Sequence, residues 1–122
     1  MGALRSYRDL TVWRRSLDWV EGVYRLSAGW PGDERFGLTS QARRASVSVA
    51  ANIAEGAARR TTGEFLPFIG IARGSLAETE TLLILSGRLG YSTEPAVAEL
   101  LSDADELGRM LAGLTASLRT PR

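Results

Sequence analysis

Carboxylates, hydroxyls and guanidinium groups carry whatever chemistry this sequence can do. Its 122 residues include no histidine, no cysteine and no lysine; all fifteen basic residues are arginine. Without histidine, the commonest general base and metal ligand is missing. Without cysteine there is no thiol nucleophile, no thiolate metal site and no disulfide. Without lysine there is no Walker-A motif, no Schiff base and no Ser-Lys dyad. The serines therefore have no base to activate them. Carboxylate sites for magnesium remain open, since that ion prefers oxygen ligands. Asp103 and Glu106 form a D-x-x-E pair, with Glu99 one turn earlier. All-α nucleotide pyrophosphatases use such pairs but need a second pair on a facing helix. Glu78 and Glu80 are two residues apart, so on a helix they point in different directions. The expectation is a solvated acidic face, with no catalytic residue, no metal site and no cofactor.

Three arginine doublets recur: Arg14-Arg15, Arg43-Arg44 and Arg59-Arg60. Clustered guanidinium forks suit phosphate oxygens, so these six are the candidate nucleic-acid contacts. The competing reading is solvent exposure and pairing along a helix, as for Glu55 with Arg59 at i, i+4. Tyr7, Trp13 and Trp19 offer rings on which bases could stack. The apolar spacing of the two tryptophans points instead to a core or an interface.

The elements that must position these residues are helices. Length and composition fit one globular domain over residues 1–122. No apolar run is long enough to span a membrane, and residues 1–9 show no signal peptide, so a cytoplasmic location is expected. Residues 1–60 hold ten arginines against six acids, and residues 61–122 hold five against eight. That polarity could steer a phosphate-rich partner or set subunit contacts.

Punctuation at three places leaves four helices, over about 9–28, 39–60, 62–89 and 94–118. Asp9 is the expected N-cap of the first. Leu10, Trp13, Leu17, Val20 and Tyr24 recur at 3,4,3,4 spacing and define a seam expected in the core. Beside it runs a second seam, Val12, Trp19, Val23 and Leu26, with Ser16 in register. A small bundle needs one apolar stripe, so the second is assigned to a subunit interface, the alternative being one broad core stripe. Pro31 breaks the chain, Phe36 and Leu38 are expected to tuck the loop down, and Thr39 or Ser40 caps the second helix. That helix has small inward residues from Ala42 to Ala57, so its neighbours should approach closely. Thr61 and Glu64 form a capping box for the third. Pro67 should kink or delay it, and Gly70 and Gly74 suggest close contact with the second helix. Gly90 suits a helix end. Thr93 and Pro95 open the fourth, where Val97, Leu100, Ala104, Leu107, Leu111, Leu114 and Leu118 keep a heptad spacing. Short connections favour an all-α, antiparallel, up-down-up-down four-helix bundle.

With these residues placed, the chain resembles a known family. The resemblance rests on Tyr7-Arg8-Asp9-Leu10-Thr11-Val12-Trp13, Phe36-Gly37-Leu38-Thr39-Ser40-Gln41 and Arg43-Arg44-Ala45. It continues through Asn52-Ile53-Ala54-Glu55-Gly56, Ile71-Ala72-Arg73-Gly74-Ser75-Leu76-Ala77-Glu78, Arg88-Leu89-Gly90-Tyr91 and Gly108-Arg109-Met110-Leu111. These segments are similar to the bacterial proteins encoded within intervening sequences of 23S ribosomal RNA genes, the S23 family. The resemblance implies a four-helix bundle, a ring-like homopentamer and kinship with the nucleic-acid-binding accessory protein of diversity-generating retroelements. It also implies a polar network of Asn52, Glu55, Arg73 and Ser75, either structural or lining a ligand pocket. Pro67 and the absence of lysine depart from the family pattern.

The expected function is a non-enzymatic oligomeric binding or scaffold protein, its partner RNA or a nucleoprotein contacted through the arginines of the first two helices. The alternatives are a purely structural protein–protein assembly module and, more remotely, a magnesium-dependent nucleotide hydrolase using Asp103 and Glu106.

Overall fold

The structure is a computed structural model that describes residues 6–120. A 3-10 turn at Tyr7–Asp9 precedes four α-helices: α1 (Thr11–Ser27), α2 (Leu38–Ala57), α3 (Thr62–Arg88) and α4 (Glu94–Arg119). A second 3-10 turn, Gly32–Glu34, lies between α1 and α2. The fold is all-α. No helix is long and apolar enough to cross a membrane, among the described residues.

Cross-helix pairs fix the topology. Arg15 meets Glu106, and Trp19 meets Leu100, so α1 and α4 are antiparallel. Ser48 meets Ser75, and Gly56 meets Phe65, so α2 and α3 are antiparallel. Leu76 meets Gly108, and Gly87 meets Val97, so α3 and α4 are antiparallel. It follows that α2 opposes α1, giving an up-down-up-down order. Each helix touches its sequence neighbours, α1 also touches α4, and α1 and α3 lie on a diagonal.

Local chemistry explains most helix ends. Thr61 accepts a hydrogen bond from the Glu64 backbone N–H at 3.1 Å, the cap read from the sequence. Thr93 caps α4, and Pro95 sits in its first turn, where a missing N–H costs nothing. Gly90 has φ +78, and the Tyr91 N–H donates to the Ser86 carbonyl at 2.9 Å, closing α3 in a Schellman arrangement. Other ends differ from expectation. Asp9 lies in the first 3-10 turn, and Leu10 occupies the N-cap of α1 without a side-chain bond. Neither Thr39 nor Ser40 caps α2. Glu34 does so from the preceding turn, its Oε1 accepting from the Leu38 N–H at 3.1 Å. Pro67 neither delays nor ends α3, which begins at Thr62 and runs through it.

The loop after α1 is held by the far connection. Buried Trp30 donates its Nε1–H to Ser92 Oγ at 2.7 Å. The Tyr91 hydroxyl donates to Glu34 Oε2 at 3.0 Å, and this bond, with burial and nearby acids, raises the Tyr91 pKa above its ordinary value. Leu38 is buried as expected, but Phe36 is 87% exposed and lies under the Arg35 guanidinium instead of tucking inward.

The two seams of α1 form one broad core stripe instead of dividing between core and interface. Val12, Trp19 and Val23, assigned to a subunit interface, are buried in the core together with Ser16, and Leu26 is half-buried. Of the seam assigned to the core, Leu10, Trp13 and Val20 are half-buried and pack against the core, whereas Leu17 and Tyr24 are 37% and 42% exposed. The cause is the charged stripe Arg14, Asp18, Glu21 and Arg25. At about 100° per residue, Ser16 and Val23 lie nearly opposite that stripe, whereas Leu17 and Tyr24 border it. Burying the first seam would have dragged the charges toward the core.

Close approach of α2 and α3 also differs in place. Gly70 and Gly74 are exposed, and a Cβ on either meets nothing within 4 Å. The contact is at Gly56, where a Cβ would fall 2.6 Å from Phe68 Cβ and 2.7 Å from Phe65 Cδ1. Gly56→Ala should therefore destabilise the protein by about 1–3 kcal/mol through overpacking. Gly113→Ala, exposed in α4 with open space around it, should stabilise it by about 0.5–1 kcal/mol. Urea unfolding of the two variants checks both signs.

Candidate functional site

The six doublet arginines do not form one patch. Arg43 and Arg59 are sixteen residues apart on or beside α2, roughly 24 Å along a helix at 1.5 Å per residue. Arg14, Arg15, Arg59 and Arg60 lie at the end of the bundle where α1 begins and α2 ends; Arg43 and Arg44 lie toward the other end. Several already have partners. Arg14 donates to the Arg8 carbonyl at 3.1 Å, and Arg15 pairs with Glu106. Arg43 donates to Ser27 Oγ at 2.8 Å and stacks 4.7 Å from the Tyr24 ring, tying α2 to α1. Arg59 pairs with Glu55 at 3.7 Å, as its spacing implies, and stacks 4.8 Å from Phe68. Arg44 and Arg60 are exposed.

At the first of these ends the guanidinium groups lie beside aromatic rings. Tyr7 and Trp13 meet edge-to-face at 5.0 Å, and Arg8 lies 5.6 Å from the Tyr7 centroid. Trp19 is not available for stacking. It is 2% exposed and donates its Nε1–H to the Leu100 carbonyl at 3.1 Å.

The polar network between α2 and α3 is smaller than the family pattern implies and uses a residue the sequence reading missed. Asn52 donates to the Ser48 carbonyl at 2.8 Å and to Ser48 Oγ at 3.0 Å, and Ser48 Oγ lies 2.8 Å from Ser75 Oγ. Glu55 points to Arg59 instead, and Arg73 is exposed. The Asn52–Ser48–Ser75 chain satisfies half-buried polar groups where the two helices pack, which is a structural task. Ser48 carried a signal, since it lies one turn before Asn52 on the same line.

The acids of α4 face α1 across a shallow polar groove of about 260 Å³, lined by Arg15, Asp18, Trp19, Arg25, Asp103, Glu106 and Leu107. Glu106 is engaged by Arg15, and no group of three acids that could hold a metal ion occurs among the described residues. On the other flank, partial burial and then the charge of Asp105 raise the Glu80 pKa above the usual carboxylate range. The groove mixes signs, so it offers no concentrated field for an anion or a cation.

What the sequence reading did not single out is the outer side of α3. Ile71, Ile84, Leu85 and Leu89 are 53%, 47%, 41% and 49% exposed, half of the large exposed hydrophobic side chains among the described residues. Only five of the 27 residues of α3 are charged, and large apolar side chains occur on its outer side as well as on its core side. The missed signal was this shortage of charge.

Fold and surface together define a small four-helix bundle whose distinctive features are outward-facing. The chain belongs to the 23S rRNA-intervening sequence protein family, whose model matches residues 8–113. It is also similar in fold to a crystal structure of a protein of unknown function from the S23 ribosomal protein family of Bacteroides thetaiotaomicron VPI-5482. The two share 24% identity with a TM-score of 0.77, over 86% of this chain and 98% of that one. No curated protein matches the sequence.

Proposed function

We propose that this protein is a non-enzymatic assembly or scaffold module that works as a homo-oligomer and binds through its surface. The observation that carries this reading is the exposure of four large apolar side chains on α3 and its C-cap, Ile71, Ile84, Leu85 and Leu89. Leu85 and Leu89 are one turn apart on the same side, and contiguous exposed apolar surface marks an interaction site. A pentamer is the size that the family resemblance implies. Sedimentation equilibrium should return a mass several times the 13.2 kDa of one chain. A monomer at millimolar concentration would overturn the reading.

A second reading, contact with RNA, is favoured by one end of the bundle. Arg8, Arg14, Arg59 and Arg60 lie there with Tyr7 and Trp13, a pairing of cations and stacking rings suited to single strands. Binding of single-stranded RNA should weaken steeply with added salt and fall further in an Arg59→Glu, Arg60→Glu variant. Absence of binding at low salt would remove this reading and leave the assembly role untouched.

A further inference from the structure

The two ends of the bundle are held in different ways. At the end where α1 and α3 finish, the two connections are tied to each other and to the helices. Trp30 donates to Ser92 Oγ at 2.7 Å, Ser86 Oγ lies 3.0 Å from that oxygen, and Glu34 accepts from both the Tyr91 hydroxyl and the Leu38 N–H. At the opposite end, residues 58–64 are all exposed. The side-chain bonds made there reach no further than one helical turn, Thr61 with Glu64 and Arg59 with Glu55. Among the described residues, α3 makes its first side-chain hydrogen bond to another helix at Ser75, which meets Ser48 at 2.8 Å.

The first half of α3 is also its weaker half as a helix. Pro67 has no N–H to donate to the Gly63 carbonyl one turn before it, and its ring crowds that carbonyl. Gly63, Gly70 and Gly74 are exposed and add the backbone freedom of glycine. A Cβ on Gly70 or Gly74 would meet nothing within 4 Å, so packing gives no reason for either. Residues 62–74 bury three side chains, Phe65, Ile69 and Ala72, whereas residues 75–88 contain no proline and bury five. Segments with weak propensity, few buried contacts and no tie at their ends are the first to open. We propose that residues 58–74 form a cooperative opening unit, hinged at Gly74, that swings free while the rest of the bundle stays folded. Opening parts Phe65 and Phe68 from Gly56 and bares Ile69. The end that carries Arg59 and Arg60 is therefore adjustable in shape, and the tied end is not. The hinge depends on neither reading of function.

Hydrogen exchange of the native chain, read peptide by peptide by mass spectrometry, tests the hinge. Relative to their intrinsic rates, the amides of residues 68–74 should exchange roughly tenfold or more faster than those of residues 76–86. Urea below the unfolding transition should speed exchange at 76–86 steeply and at 68–74 only slightly, because opening one corner exposes little surface. Gly70→Ala combined with Gly74→Ala should slow exchange at 68–74 by roughly twentyfold, about four- to fivefold for each glycine. Both positions are exposed, so this variant should keep the helical circular dichroism of the parent. Equal protection along α3, or equal urea dependence of its two halves, would mean that α3 opens only with the whole bundle, and would overturn the hinge. A double variant whose 68–74 amides exchange no slower than the parent's would overturn it as well.

Discussion

The rotation of α1 about its own axis decides which surfaces this protein keeps for itself and which it offers. The anchor is Trp19. Its ring is buried against α4, and its Nε1–H reaches the Leu100 carbonyl. Burying a tryptophan removes about 150–250 Å² from water, worth roughly 4–6 kcal/mol at 25 cal/mol per Å². Placing the indole inward also satisfies its one donor, so the burial leaves no polar group unpaired. Val12, Ser16 and Val23 follow Trp19 inward, and Leu17 and Tyr24 are left on the outside. Ser16 in the middle of the buried seam keeps the helix close to its neighbours, with its hydroxyl donating back to the Trp13 carbonyl at 2.6 Å.

Much of this was legible in the sequence, and the exceptions share a cause. Thr61, Thr93 and Gly90 end helices where local chemistry dictates. The heptad of α4 reads directly as its core line, with Leu107 and Leu111 buried. Those features depend on neighbours within a turn or two. The failures depend on partners that the linear sequence does not name. Two apolar seams on α1 competed, and only the charged stripe opposite one of them settles the choice. Glycine spacing pointed to Gly70 and Gly74, but the close approach occurs at Gly56, where Phe65 and Phe68 arrive from another helix. Asn52 was read as needing partners, and Ser75 was named with it; Ser48, which joins them, was missed.

The same constraint shapes the account of function. Arginines that looked like six equivalent phosphate contacts divide into structural ties, such as Arg43 on Tyr24, and groups gathered at one end of the bundle. The carboxylates of α4 are dispersed or, like Glu106, already paired. What remains unexplained by the packing of one chain is apolar surface on α1 and α3. Under the proposed assembly role, that surface is what a second copy would cover. Gly70 and Gly74 of α3 each weaken the helix by about 1 kcal/mol relative to alanine, and neither makes room for a neighbour within the chain.

The most direct check is to compare the unfolding free energies of Trp19→Ala and Leu17→Ala by denaturant titration at a concentration where the chain is monomeric. With Trp19 inside and Leu17 outside, Trp19→Ala should lose about 3–5 kcal/mol, and Leu17→Ala should stay within about 1 kcal/mol of the parent. A large loss at Leu17 with little at Trp19 would mean that α1 is turned the other way, and the assignment of its outer seam would fall with it.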